Sequence, residues 1–184
     1  MDEVSEHQFE NLKKSTINVY TTVCNELLPT PAKSHYTFNL RDLAKVFQGV
    51  LMHNPNDMED VNTLIKLWYH EACRVFSDRL INMQDRNWFE EQLTNQITQN
   101  FSLDYNEISP AEERPVLFAD FANDARKYQL IKSHEKMIQV MGESLEDYNQ
   151  ISTAKMNLVL FMDAAEHVSR ITRIIRQVSN KCAR

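Results

Sequence analysis

The residues of this chain most suggestive of chemistry are His70-Glu-Ala-Cys-Arg74, which open like the H-E-x-x-H signature of zinc hydrolases. That chemistry needs two His ligands one helical turn apart around a catalytic Glu. Here Arg74 fills the second ligand position, and a guanidinium stays protonated and cannot ligate. The expectation is a partly buried helix in which His70 hydrogen-bonds a neighbour, with no metal site. The other five His are scattered. Glu166 and His167 are adjacent, but neighbours on a helix point to different sides, so a solvated or interface pair is expected rather than an acid–base couple. With only Gly49 and Gly142 in 184 residues, there is neither a G-x-S-x-G elbow nor a G-x-x-x-x-G-K-[ST] loop to cradle phosphates.

Arg41 stands apart. It falls in the first turn of a predicted helix, where the macrodipole disfavours a cation by about 0.3 to 1 kcal/mol unless an anion is near. Free N–H groups at a helix start together with an arginine fork make a phosphate receptor. Asp42 beside it is an equally good local partner, and the residues alone favour a structural salt bridge over a phosphate contact.

The elements that must carry these residues are helical. Composition is that of a globular protein, 42% hydrophobic and 25% charged, with five Pro; the scarcity of Gly removes most of the tight-turn vocabulary of sheets. Phe9, Leu12, Thr16, Val19, Tyr20, Val23 and Leu27 recur at helical spacing from Glu6 to Leu28, and Pro29-Thr-Pro31 stops the run. Asn39 is placed to cap a helix from Leu40 to Met52 that buries Leu43, Val46, Phe47, Val50 and Leu51. A long helix from Val61 to Leu80 and another from Arg86 to Phe101 follow. Pro110 and Pro115 interrupt the pattern, Val116-Leu-Phe118 reads as extended, and two more helices are expected at Ile131–Tyr148 and Met156–Arg176. The second of these should bury Leu158, Phe161, Ala165, Val168, Ile171 and Ile175. Met137, Met141, Met156 and Met162 read as core fillers. The expected fold is thus mainly all-α: a small helical bundle over residues 1–109, then a connector and two further helices over 110–184.

The net charge of −6 argues against nucleic acid as a partner, because a general phosphate field calls for a basic face. Cys24, Cys73 and Cys182 lack C-x-x-C spacing, which fits a reducing setting without a disulfide framework or thiolate zinc site. No apolar run approaches the ~20 residues needed to cross a bilayer, and Met1-Asp-Glu-Val-Ser-Glu lacks the character of a signal peptide. A soluble protein without membrane contact is expected.

Taken together, Leu27-Leu-Pro-Thr-Pro-Ala-Lys33, the stretch Tyr36 to Val50, and Trp68-Tyr-His-Glu-Ala-Cys-Arg-Val-Phe-Ser-Asp-Arg-Leu80 resemble the dynein heavy chain family, specifically the helical lid of its third AAA+ module in the axonemal branch. Asn157 to Gln177 is similar to the family's helix leading into the fourth module, and the resemblance extends from about Thr16 to Gln177. It implies that residues 1–109 are an AAA+ lid and 110–184 a connector with the start of the fourth module. Arg41 would be a sensor-type arginine touching the third module's nucleotide, and Arg74, Arg79, Glu166, His167, Arg170 and Arg173 would contact neighbouring modules. Walker A and B of the third module would precede Met1, and the next P-loop would follow Gln177. The resemblance therefore implies a structural coupling segment of a microtubule motor ring. The isolated chain is expected to be no enzyme and to hold no cofactor, since ATP or ADP and Mg belong to the intact ring. Expected partners are adjacent AAA+ modules or other dynein subunits, with no direct microtubule contact. The expected location is the cytoskeleton of a ciliary or flagellar axoneme. A free-standing helical protein that binds dynein subunits is the alternative.

Overall fold

A computed structural model describes residues 6–110, 114–123 and 126–182, with side chains to 177. The chain divides into two compact units, Met1–Val116 and Leu117–Arg184. Its helices are α1 (Glu6–Glu26), α2 (Leu40–Val50), α3 (Val61–Val75), α4 (Met83–Phe101), the short α5 (Tyr105–Ile108), α6 (His134–Ile151) and α7 (Met162–Cys182). Two-residue strands β1 (Phe118–Ala119) and β2 (Gln129–Leu130) complete it. The mainly helical class read from composition and periodicity is the observed one.

In the first unit α2, α3 and α4 each start where a short polar side chain can take an orphan N–H. Asn39 accepts from Arg41 N–H at 2.9 Å, Asp60 from Thr63 N–H at 2.7 Å, and Asn82 from Asp85 N–H at 2.8 Å. Such caps stabilise a helix by ~1 kcal/mol each. α4 ends at Ser102, whose φ of 56° is the left-handed cap conformation, with its N–H bonded to Thr98 O.

The apolar stripe of α1, with Leu12, Val19 and Val23 buried, closes a core that includes Val46, Leu64, Ile65, Trp68, Phe89, Leu93 and Ile97. One polar pair crosses it: Trp68 Nε1–H donates to Thr16 Oγ1 at 2.8 Å, and that hydroxyl donates to Leu12 O at 2.7 Å. The indole N–H is therefore buried without the penalty of an unmade bond. The seam between α1 and α4 is fixed by side-chain amides, Asn11 to Asn100 O at 2.8 Å, Asn18 to Gln96 at 3.1 Å and Asn100 to Ser15 at 2.9 Å.

Two expectations in this unit are corrected. The helix from Val61 gives way after Val75 to a 3₁₀ turn at Ser77–Arg79, which still buries Phe76 and Leu80. Leu51 is 80% exposed. It lies five residues, roughly 140° round the helix, from the fully buried Val46, outside the core-facing arc.

In the second unit β1 and β2 pair antiparallel, Phe118 opposite Leu130 and Ala119 opposite Gln129, and Ile131 N–H extends the ladder to Leu117 O at 2.9 Å. That bond commits Ile131 to the hairpin, so α6 starts at His134, capped by Ser133. Leu117, Ala119, Ile131, Met137, Met141 and Ala165 form the core. The last helix begins at Met162, not Met156. Asn149 holds the intervening segment in a non-helical path: its amide donates to Met156 O and its carbonyl accepts from Met156 N–H, both at 2.8 Å. Leu158, Phe161, Ile171 and Ile175, expected inside, are more than half exposed, as are Val159 and Ile174.

Candidate functional site

The densest polar construction of the first unit surrounds the start of α2. Asn39 and Asp42 form a reciprocal capping box, the Asn39 side chain accepting from Arg41 N–H while Asn39 N–H donates to Asp42 Oδ2 at 3.1 Å. Asp42 is buried. It is also bound by Lys45 Nζ at 3.2 Å and by Arg79 Nη1 at 2.9 Å. Burial pushes the Asp42 carboxyl up, but the Asn39 N–H, Lys45 and Arg79 outweigh it and hold the group below the usual carboxylate range.

Arg79 does more than balance this charge. Its Nη2 donates to His35 O and Thr37 O, each at 2.9 Å, and its guanidinium lies over the Phe38 ring, 4.6 Å from the centroid. His35 Nε2 is 3.0 Å from Arg79 O. A second tie runs alongside: Tyr36 O–H donates to Asp85 Oδ2 at 2.8 Å and accepts from Ile81 N–H at 3.0 Å, and Lys33 pairs with the same carboxylate. Burial raises Asp85, yet the bonds from Lys33 and Tyr36 leave its pKa lowered. The loop before α2 is thereby fastened to the turn between α3 and α4.

The result for Arg41 is that the carboxylate next to it in the chain is taken. Among the described residues its guanidinium has no hydrogen-bond or ion-pair partner, and the residue is exposed in the first turn. The salt bridge to Asp42 that the sequence favoured is not formed, because Arg79 and Lys45 take that carboxylate.

Other candidates lie elsewhere. Arg74 pairs with Asp78 at 3.2 Å. His70 and Glu71 are buried, and His70 Nδ1 is 3.0 Å from Val116 O; among the described residues no group of three His, Cys, Asp or Glu could hold a metal. On α7, Glu166 pairs with Arg170 at 3.1 Å, His167 is exposed and Arg173 is buried. The clamp role of Arg79 and the tie through Tyr36 and Asp85 are not visible in the sequence, because the partners are 37 to 49 residues apart. Only the capping pattern Asn39-x-x-Asp42 signalled that this helix start is built with care.

Comparison with known proteins bears on what such a helix start is for. Residues 1–86 match the family model for the dynein heavy chain ATPase lid domain. The chain is 54% identical over 171 residues to dynein axonemal heavy chain 1 of Mus musculus, covering 91% of this chain and 4% of that one. The Homo sapiens protein of the same description is 53% identical over 174 residues, covering 93% and 4%. Dynein axonemal heavy chain 2 of Homo sapiens is 39% identical over 165 residues, covering 89% and 4%. The chain thus spans about 4% of the length of these relatives. It belongs to the dynein heavy chain family, as an axonemal-type segment that carries the ATPase lid.

Proposed function

We propose that this segment is a mechanical coupler of the motor ring: a lid over residues 1–109 that senses nucleotide at the third AAA+ module, joined through residues 110–184 to the fourth. The observation that carries the reading is the free guanidinium of Arg41 at the head of α2, beside a carboxylate already committed to Arg79 and Lys45. A cation in the first turn is electrostatically unfavourable until an anion arrives, and a phosphate reverses that sign. Packed helices move as units between discrete arrangements, which suits them to pass a local change onward.

The exposed Leu158, Val159, Phe161, Ile171, Ile174 and Ile175 support contact with further protein, since apolar residues grouped in this way are uncommon on a free surface. The partners would be neighbouring AAA+ modules or other dynein subunits, and the location an axoneme. On its own the 184-residue chain turns over no ATP, having no G-x-x-x-x-G-K-[ST] loop in its sequence. Saturable hydrolysis that survives repurification and disappears on Arg41→Ala would overturn this.

A further inference from the structure

We infer that Arg79 is the positioning residue for Arg41, fixing the start of α2 so that its N–H groups and the Arg41 guanidinium face one way. The inference rests on the phosphate-facing reading of Arg41. One planar fork reaches three acceptors on two chain segments, the Asp42 carboxylate and the carbonyls of His35 and Thr37, while its face covers Phe38. Among cationic side chains only an arginine fork has this geometry. A lysine ammonium is a point donor on a flexible stem, so it cannot hold a carboxylate and two carbonyls while lying flat on a ring.

The consequence is directional. Asp42 is both the N3 member of the capping box and the acceptor of Arg79. Its second role orients its first: with Nη1 on Asp42 Oδ2, that same oxygen is aimed at Asn39 N–H. Asn39 in turn holds Arg41 N–H. A displacement of the Ser77–Arg79 turn therefore reaches Arg41 through three successive hydrogen bonds, and an anion on Arg41 acts back on the turn by the same route.

Amide hydrogen exchange on the full 184-residue chain, followed by NMR, tests this. In Arg79→Lys the Asn39 and Arg41 amides should exchange at least tenfold faster, with Leu93 and Ile97 of α4 unchanged. A uniform rise that includes α4, or unchanged rates at Asn39 and Arg41, overturns the inference. Phe38→Leu removes the ring face with little loss of apolar volume and should loosen the same two amides to a lesser degree, which keeps the test decisive if Arg79→Lys does not fold.

Titration with inorganic pyrophosphate separates this inference from the reading beneath it. The expected result is a saturable shift of the Arg41 amide, weakened at least fivefold by Arg79→Lys and abolished by Arg41→Ala. A wild-type chain without that shift, or a shift that survives Arg41→Ala, overturns the phosphate reading and leaves Arg79 to be judged by exchange alone. Loss on Arg41→Ala with full affinity in Arg79→Lys overturns the positioning role and leaves the reading standing.

Discussion

The fully buried carboxyl of Glu71 on α3 lies against the backbone of Gly49 on α2, so closely that a Cβ built at Gly49 would stand 1.7 Å from Glu71 Oε2. One of the two glycines of the chain is thus a clearance for a carboxylate. In a free helix Gly49→Ala would gain ~1 kcal/mol of helix propensity. Here overpacking of about 1 to 3 kcal/mol opposes it, and the enclosed Glu71 has little room to swing aside. Gly49→Ala should lower the urea midpoint, and the loss should shrink in a Glu71→Ala background, a coupling that a double-mutant cycle reads directly. A raised midpoint would show the contact to be slack.

Thr16 relays between the Trp68 indole and the α1 backbone. Thr16→Val keeps the shape and strands a buried donor, so a loss of about 1 to 3 kcal/mol is expected in equilibrium unfolding. Thr16→Ser, which keeps the hydroxyl, should recover a substantial part of it.

Acid should undo the ties around α2. Asp42 and Asp85 both have lowered pKa values in the folded chain. A depressed carboxylate contributes stability that is fully present above its unfolded value of about 3.9 and is lost as pH falls through the folded value. Stability should therefore hold near neutrality and decline below about pH 4. In Asp42→Asn the protein should be weaker at pH 7, with a shallower decline on acidification; an unchanged slope would count against this assignment.

Cys73 should be inert. Burial pushes its thiol up to about 12, with the nearby Arg74 only partly opposing, and the thiolate is the reactive form. Iodoacetamide at pH 8 should label Cys73 only after denaturation, as judged by peptide mass spectrometry. Labelling of the folded protein would mean that α3 opens readily.

The helical class and the starts of α1, α2 and α3 were legible because they depend on local chemistry: apolar spacing in α1 and α3, and the cap at Asn39. Boundaries failed where a distant partner decides them. Asn149 captures Met156 and delays α7, and the β1 ladder takes Ile131 from α6. The α7 face carrying Ile171 and Ile175 read as core from its periodicity, yet it is exposed; periodicity marks a face to be covered without saying what covers it. At the candidate site Arg41 was legible from its place in a first turn. The absence of an Asp42–Arg41 pair was not, because it depends on Arg79 arriving from another element.

The role of Arg41 can be read in an assembled axonemal heavy chain that contains this segment, by microtubule gliding velocity with Arg41→Ala set against Gln48→Ala, an exposed change on the same helix. Arg41→Ala should lose velocity severalfold, with Gln48→Ala matching wild type. Equal velocities for Arg41→Ala and wild type would contradict it.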